Sequence, residues 1–208
     1  MSNIITNITQ GSDEWKALRA GKVTASRIAD VMATIKSGES AARKNYRTQL
    51  ICERLTGKVE ESFTNSHMER GTALEPYARE AYELQTGSIV EQVSFVDHPT
   101  IPMSGASPDG LVGSEGCIEI KVPTPANHLE YLLGKEPPSK YKPQMTWQLS
   151  CTERNWVDFV SYCPEMPERL QLFIVRYVPD AEYQNNINLE VIKFLAEVNS
   201  TIAELMKL

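Results

Sequence analysis

Apolar residues recur along the chain with two different spacings. A spacing of three to four residues predicts helices near 13–19, 24–33, 41–56, 68–85, 125–133, 139–153 and 188–206. Alternating or continuous apolar runs predict strands near 89–97, 103–112, 116–122, 156–163 and 170–178. Helices followed by a strand cluster and then by more helices and strands predict an α/β fold. In such a fold a mixed central β-sheet is flanked by α-helices.

The chain has 208 residues, which is enough for a sizeable hydrophobic core, and we expect a single domain over 1–208. No apolar run approaches the length of a membrane-spanning helix, and the first residues do not resemble a signal peptide. The four cysteines show no CxxC spacing, so we expect free thiols. These observations together predict a cytoplasmic protein without a membrane partner.

Charge is distributed unevenly over the chain, whose net value is −6. Residues 1–58 hold ten Lys or Arg against five Asp or Glu, a balance of +5, and the remaining 150 hold 11 against 22, a balance of −11. A basic helical N-terminal part on an acidic body suits a local surface that binds phosphate groups. A basic helical face that is merely solvated is the alternative.

Two charged residues interrupt the apolar pattern of the strand at 116–122. Glu119 and Lys121 flank Ile120, so alternation places both charges on one face of that strand. Asp109 precedes them in a turn between proline and glycine. Two carboxylates and a cation are the groups that Mg²⁺-dependent phosphodiester hydrolysis requires. An exposed edge strand would also tolerate such a pair, and Asp109 would then be an ordinary turn residue.

The helix predicted at 68–85 carries two further features. Glu75 stands just before a proline, among several acidic residues of which most belong to a solvated face. Gly71 is unusual inside a helix because glycine costs about 1 kcal/mol there relative to alanine. Close approach of another backbone, or of DNA, would explain this glycine.

Five segments in order resemble the phage-type recombination exonucleases, the family of bacteriophage lambda exonuclease and the YqaJ-like viral recombinases within the PD-(D/E)XK superfamily. They are WKALRAGKVTAS (15–26), RGTALE (70–75), SPDG (107–110), EIK (119–121) and YKPQMTWQLSCTERNWVDFVSYCP (141–164). The resemblance implies a restriction-endonuclease-like fold. It also implies an exonuclease that uses Mg²⁺, with Mn²⁺ as a substitute, to digest one strand of duplex DNA from its 5′ end and leave a 3′ overhang. Relatives form a ring-shaped homotrimer around DNA and act with a single-strand annealing protein.

The same resemblance assigns catalytic roles by position. Asp109, Glu119 and the backbone carbonyl of Ile120 would hold two metal ions, and Glu75 would sit near the second of them. Lys121 would hold the attacking water and help to deprotonate it. Two ions suit an in-line displacement, since one stabilises the nucleophile and the other the leaving oxygen.

The resemblance also implies a second group that binds the terminal 5′ phosphate, and a guanidinium together with hydroxyl and amide donors suits the oxygens of that phosphate. By position this group comprises Arg19, Ser26, Ser107 and Gln144, with Gln148 one helical turn further on and Lys36 as a contact to the duplex backbone. Arg19 could instead form a surface salt bridge with Asp13 or Glu14, and Ser26 could be a helix-start residue.

Two tryptophans, Trp15 and Trp156, fit core packing better than base stacking. An endonuclease of the restriction or structure-specific type would use the same Asp109, Glu119 and Lys121, but would not need a DNA end. A DNA-binding module without catalysis would need no such set of carboxylates and lysine, and an inactive structural subunit would be expected to have lost part of it. The intact set argues against both of these.

Overall fold

The computed structural model describes residues 3–59 and 66–208 of the chain. Within them the α-helices are α1 Asp13–Arg19, α2 Ile28–Val31, α3 Ala41–Thr56, α4 Ser66–Thr86, α5 Pro125–Gly134, α6 Lys142–Thr152 and α7 Ala181–Leu205. The β-strands are β1 Ile4–Ile5, β2 Val23–Thr24, β3 Val90–Glu91, β4 Phe95–Asp97, β5 Ser104–Ala106, β6 Gly110–Val112, β7 Gly116–Lys121, β8 Trp156–Tyr162 and β9 Leu172–Tyr177. None of the helices in these residues is long and apolar enough to cross a membrane.

The strands form two sheets, each of them mixed. A larger sheet has the order β3-β6-β7-β8-β9, with β7 and β8 parallel and the other pairs antiparallel. A smaller sheet has the order β1-β4-β5-β2, in which only β2 and β5 are parallel. The predicted α/β class with helices flanking a mixed sheet is confirmed, but the expectation of one sheet is wrong.

Two predicted strands are each divided between these sheets. The segment predicted as 89–97 becomes β3 in the larger sheet and β4 in the smaller one, and 103–112 becomes β5 and β6 in the same way. Side chains bind the backbone at both crossings, since the Gln10 amide donates to the carbonyls of Val93 and Pro108 at 2.8 and 3.0 Å. Continuous apolar patterns could not reveal these crossings, because alternation is the same in either sheet.

The larger sheet is covered on both faces, and this places the charges of β7. Cys117 packs with Met145 and Leu149 of α6, which lies in the crossover connecting the parallel strands β7 and β8. Ile118 and Ile120 pack with α4 on the opposite face. Since side chains alternate along a strand, Glu119 and Lys121 lie on the side of Cys117 and α6.

The boundaries of several helices follow from local chemistry. Helix α3 has the predicted bounds and ends at Gly57, whose φ of 68° is the left-handed conformation that favours glycine. Helix α1 also has its predicted bounds, and the Ser12 side chain caps it by accepting the backbone N–H of Trp15. Helix α7 begins seven residues earlier than predicted because Asp180 caps it by accepting from the amides of Glu182 and Tyr183.

Two glycines differ in the space around them. A Cβ added to Gly105 of β5 would lie 2.3 Å from the Phe95 ring and 2.6 Å from the Val96 carbonyl oxygen. Gly71 of α4 has nothing within 4 Å of such a Cβ. The expected close approach of another backbone at Gly71 is therefore wrong, whereas Gly105 is required by the spacing of β4 and β5.

We predict opposite effects for the same substitution at these two positions. Gly105→Ala should lower the free energy of unfolding by about 3 kcal/mol, because the strand backbone cannot move away from β4. Gly71→Ala should raise it by about 1 kcal/mol, because alanine is the better helix former. Urea unfolding followed by circular dichroism measures both, and equal effects of the two variants would contradict this account of the packing.

Candidate active site

A short hydrogen bond ties Asp109 to the strand that carries the other charges. Asp109 stands immediately before β6, and its Oδ2 accepts the backbone N–H of Ile120 at 2.6 Å. In a β-strand the N–H and C=O of one residue point to the same side, so the Ile120 carbonyl faces the side where Asp109 lies. The residues at 109 and 119–121, separated in sequence, thus meet at one place.

Glu119 is a buried carboxylate, with only 1% of its surface exposed. Its Oε1 accepts the side-chain amide of Gln144 and its Oε2 that of Gln148, both at 2.6 Å, and Oε1 is also ion-paired to Lys121. Strand β7 lies between β6 and β8, so the alternative of an exposed edge strand is wrong. The fold buries this carboxylate and surrounds it with donors instead of exposing it to water.

The charges at this place change each other's protonation. Burial, and next the neighbouring charge of Glu119, raise the pKa of Asp109 well above its usual range. Burial acts to lower the pKa of Lys121, but the carboxylates of Glu119 and Asp109 outweigh it and raise that pKa. Lys121 is therefore a cation at neutral pH. Its charge lowers the pKa of Asp109, but not enough to offset the effects of burial and of Glu119.

Glu75 lies on α4, near the same group of charges. Its carboxylate is paired with Arg79 at 2.5 Å. Burial raises the pKa of Glu75, Arg79 and Lys121 lower it, and the charge of Glu119 raises it further. Glu75 is thus within electrostatic reach of Glu119 and Lys121, but it does not line the cleft described below.

The oxygen donors at this place suit Mg²⁺. Among the described residues no three His, Cys, Asp or Glu side chains converge as a metal cluster, so a metal would rest on Asp109, Glu119, the Ile120 carbonyl and water. Mg²⁺ commonly binds through one or two carboxylates and keeps several waters. The raised pKa of Asp109 also indicates a place where a cation would be stabilised.

One cleft of about 1080 Å³ adjoins both groups of residues predicted from the sequence. Its lining includes Asp109, Glu119 and Lys121, together with Arg19, Ser26, Ser107 and Gln144. Gln148 is wholly buried behind Glu119, and Lys36 is exposed in the loop after α2, outside the lining of the cleft. The structure thus brings most of the predicted residues together and leaves Lys36 apart.

Arg19, the last residue of α1, has its guanidinium stacked on the Trp15 ring, 3.8 Å from the ring centroid. Burial lowers the pKa of Arg19 to about 10, and the charges of Tyr46 and Glu53 act in the opposite direction. The alternative of a salt bridge with Asp13 or Glu14 is wrong, because Asp13 pairs with Lys16 at 2.9 Å and no described carboxylate pairs with Arg19.

The tryptophans have different environments. The expectation of core packing is wrong for Trp15, which is half-buried in the cleft wall. Its indole N–H donates to the Ser94 carbonyl at 2.9 Å and to the Ser107 hydroxyl at 3.1 Å. Trp156, in contrast, packs against the core between α4 and the larger sheet, as predicted.

The predicted hydroxyl and amide donors differ in their availability. Ser26 is exposed to the cleft, in a 3₁₀ turn that precedes α2. Ser107 donates its hydroxyl proton to the Ser94 carbonyl at 2.7 Å, and Gln144 donates to Glu119. A phosphate contact in which Ser107 donates therefore requires its hydrogen bond to Ser94 to be exchanged, whereas Gln144 has a second amide N–H beside the one given to Glu119.

Sequence reasoning missed several residues that line the cleft: Lys16, Lys22, Arg27, Tyr46, Gln49 and Glu53. The excess of Lys and Arg within 1–58 indicated such a surface, but did not identify which of the ten basic residues would face the cleft. Five of the ten line it: Lys16, Arg19, Lys22, Arg27 and Lys58.

Known proteins are similar to this chain in sequence and in fold. The model of the YqaJ-like viral recombinase domain matches residues 14–155, which is more than half of the chain. The chain belongs to this family. The resemblance predicted from the five sequence segments is thereby confirmed.

Several solved structures are similar to this YqaJ-like protein. An alkaline exonuclease (LHK-Exo) from Laribacter hongkongensis is 47% identical, with 94% of this chain and 97% of that chain covered and a TM-score of 0.87. Its complex with dAMP gives a TM-score of 0.88 over the same coverage. A phage related exonuclease from Haemophilus somnus 129PT, 15% identical with a TM-score of 0.72 over 91% of this chain and 99% of that one, shares the fold. Among curated proteins no sequence matches the chain.

Asp109→Asn should stabilise this YqaJ-like protein in the presence of EDTA. The folded pKa of Asp109 is raised, so its ionised form destabilises the fold; this cost is absent below the unfolded pKa, about 4, and grows as pH rises through the folded pKa. At neutral pH we expect the asparagine variant to gain about 1 kcal/mol in the free energy of unfolding. Chemical unfolding at pH 7.5 and pH 3.5 tests this, and a gain of equal size at both values would contradict it.

Proposed function

We propose that this protein is a Mg²⁺-dependent exonuclease that degrades one strand of linear double-stranded DNA from 5′ to 3′ and leaves a 3′ overhang for annealing recombination. One observation carries the proposal. A single cleft is lined by the carboxylates and lysine of Asp109, Glu119 and Lys121 and, beside them, by the guanidinium of Arg19, which pairs with no described carboxylate. A terminal phosphate held by Arg19 would bring a nearby phosphodiester toward the carboxylates.

Membership of the YqaJ-like viral recombinase family supports a DNA exonuclease, as does the 47% identity to an alkaline exonuclease. The preference for a 5′ end, the two metal ions and the ring-shaped homotrimer are parts of our proposal. A single-strand annealing protein that acts on the exposed strand completes it. These parts extend the resemblance of the sequence to phage recombination exonucleases.

In the proposed mechanism Asp109, Glu119 and the Ile120 carbonyl would hold the metal, and Glu75 would sit near a second ion. Bound Mg²⁺ would supply Lewis-acid stabilisation of the attacking and leaving oxygens. Lys121 is a cation beside Glu119, so it would hold the attacking water and compensate the negative charge that develops on the phosphate.

The amides of Gln144 and Gln148 would fix the rotamer of the Glu119 carboxylate, since each donates to one of its oxygens. Arg19 and Ser26 would bind the terminal phosphate, together with the second amide N–H of Gln144 and, after an exchange of its hydrogen bond, the hydroxyl of Ser107. A planar guanidinium stacked on an indole keeps its N–H groups in one orientation, which suits recognition of a phosphate. Lys36 stays a proposed contact to the duplex further from the end.

The first experiment compares DNA substrates in Mg²⁺. Linear duplexes labelled on one strand and carrying a 5′ phosphate or a 5′ hydroxyl are incubated beside closed circular duplex. We expect loss of nucleotides from the 5′ end of the phosphorylated strand and survival of the circle. Cleavage of the circle would instead identify an endonuclease and would withdraw the roles given to Arg19, Ser26, Ser107 and Gln144.

Lys121→Ala and Asp109→Ala should each abolish hydrolysis without abolishing binding. Asp109→Ala loses a proposed metal ligand and Lys121→Ala the proposed cation beside the reacting phosphate, so we expect Mg²⁺-dependent release of nucleotides to fall at least about 100-fold. Duplex binding measured in Ca²⁺ should remain within a few-fold of the unaltered protein. Lys44→Ala, which removes an exposed cation of α3 outside the cleft, is the matched control. Hydrolysis at the normal rate in either site variant would refute these roles.

A further inference from the structure

The turn between α1 and β2 directly follows Arg19, which lines the cleft. Gly21 lies in this turn with a φ of 68°, a backbone conformation that residues other than glycine rarely adopt. Two residues later Val23 pairs with Ser104 of the smaller sheet, which fixes the far end of the turn. The orientation of Arg19 therefore depends on how this turn is held.

Two neighbouring side chains at the end of α3 bind the turn at Gly21. The N–H of Gly21 donates to Oε2 of Glu53 at 2.7 Å, and its carbonyl oxygen accepts Nε of Arg54, also at 2.7 Å. A Cβ at position 21 would lie 2.6 Å from Cγ of Arg54, so the turn and α3 are in close contact. The N–H and the C=O of Gly21 are thus bound by two consecutive residues of α3, Glu53 and Arg54.

Glu53 is an unusual residue for this purpose because its carboxylate is 5% exposed and has no salt bridge within the described part of the chain. Its other oxygen accepts the side-chain amide of Gln49 at 2.8 Å. Burial of a carboxylate without a cation is unfavourable, and an amide or a backbone group could be held by a neutral side chain. The negative charge therefore calls for a reason beyond the hydrogen bonds.

The nearby guanidinium of Arg19 provides that reason. Arg19 interacts electrostatically with Glu53 without forming an ion pair with it. A direct salt bridge would occupy the N–H groups of Arg19, and a phosphate would then have to displace the carboxylate. The Glu53 carboxylate is held by Gly21 and Gln49 instead of by Arg19. Its charge therefore stabilises the Arg19 cation without occupying the guanidinium N–H groups of this cleft residue.

We propose that Glu53 is a positioning residue for Arg19 and thereby sets the preference of the enzyme for a 5′-phosphorylated end over a 5′-hydroxyl end. An ionised carboxylate only accepts hydrogen bonds, so Glu53 contributes nothing to phosphate binding by direct contact. It acts through the Gly21 turn and through its charge. This inference rests on the proposed function, because it assumes that Arg19 binds a terminal phosphate.

The test measures kcat/KM in Mg²⁺ on linear duplexes that differ only in having a 5′ phosphate or a 5′ hydroxyl. Arg19→Ala should reduce the ratio of the two values to near one. Glu53→Ala should reduce the ratio about tenfold while the rate on the hydroxyl duplex changes by less than about threefold, a factor of ten being about 1.4 kcal/mol. Glu53→Gln keeps an acceptor for Gly21 but loses the charge, so its ratio should lie between those of Glu53→Ala and the unaltered protein.

A double variant separates positioning from general stability. If Glu53 acts through Arg19, Arg19→Ala combined with Glu53→Ala should have the same ratio as Arg19→Ala alone. Glu168→Ala, which removes an exposed carboxylate far along the chain, is the matched control and should keep the full ratio. If Glu53→Ala does not fold, Arg54→Met loosens the same turn from its other side and should lower the ratio too.

The outcomes distinguish the inference from the proposed function. A ratio that falls with Arg19→Ala but not with Glu53→Ala would overturn the inference and leave the phosphate role of Arg19 intact. Equal losses on both duplexes in Glu53→Ala would overturn it too, because Glu53 would then have a structural role only. A ratio near one in the unaltered protein would overturn the proposed recognition of the DNA end, and the inference with it.

Discussion

The buried carboxylate of Glu119 is the constraint on which the rest of the site depends. A carboxylate that is 1% exposed, on a central strand, is stable only with donors or cations around it. Lys121 and the amides of Gln144 and Gln148 meet that need, and they do so because α6 packs across the same face of the sheet. The crossover that joins β7 to β8 therefore serves both the hydrophobic core and the polar site.

The division of the strands into two sheets brings the N-terminal region to this site. Between β5 and β6 the chain leaves the smaller sheet and enters the larger one, and Asp109 lies at the end of that crossing. The crossing is bound by Gln10 and, through Ser107, by Trp15, which also carries Arg19. These contacts thus connect helix α1 to the turn that holds Asp109.

Charge in this protein is organised by position rather than by total. The chain is acidic overall, yet its cleft combines several cations from the first 58 residues with the carboxylates of β7 and its turn. Burial and the charge of Glu119 raise the pKa of Asp109, and burial lowers that of Arg19. The ionised form of Asp109 would be stabilised by a bound cation, and the charged form of Arg19 by a bound anion. Such perturbed pKa values are common in binding and catalytic sites.

The sequence alone determined the α/β class, most helix bounds, the family, and the shared face of Glu119 and Lys121, because each depends on local periodicity or on ordered motifs. The tertiary structure decided what local patterns do not contain. It split two apparent strands between sheets, moved Trp15 from the core to the cleft wall, bound Ser107 to Ser94, left Lys36 apart and bound Glu53 to the backbone of Gly21. These features depend on contacts between residues far apart in the chain. The alternation of apolar and polar residues along one strand does not specify which strand pairs with it.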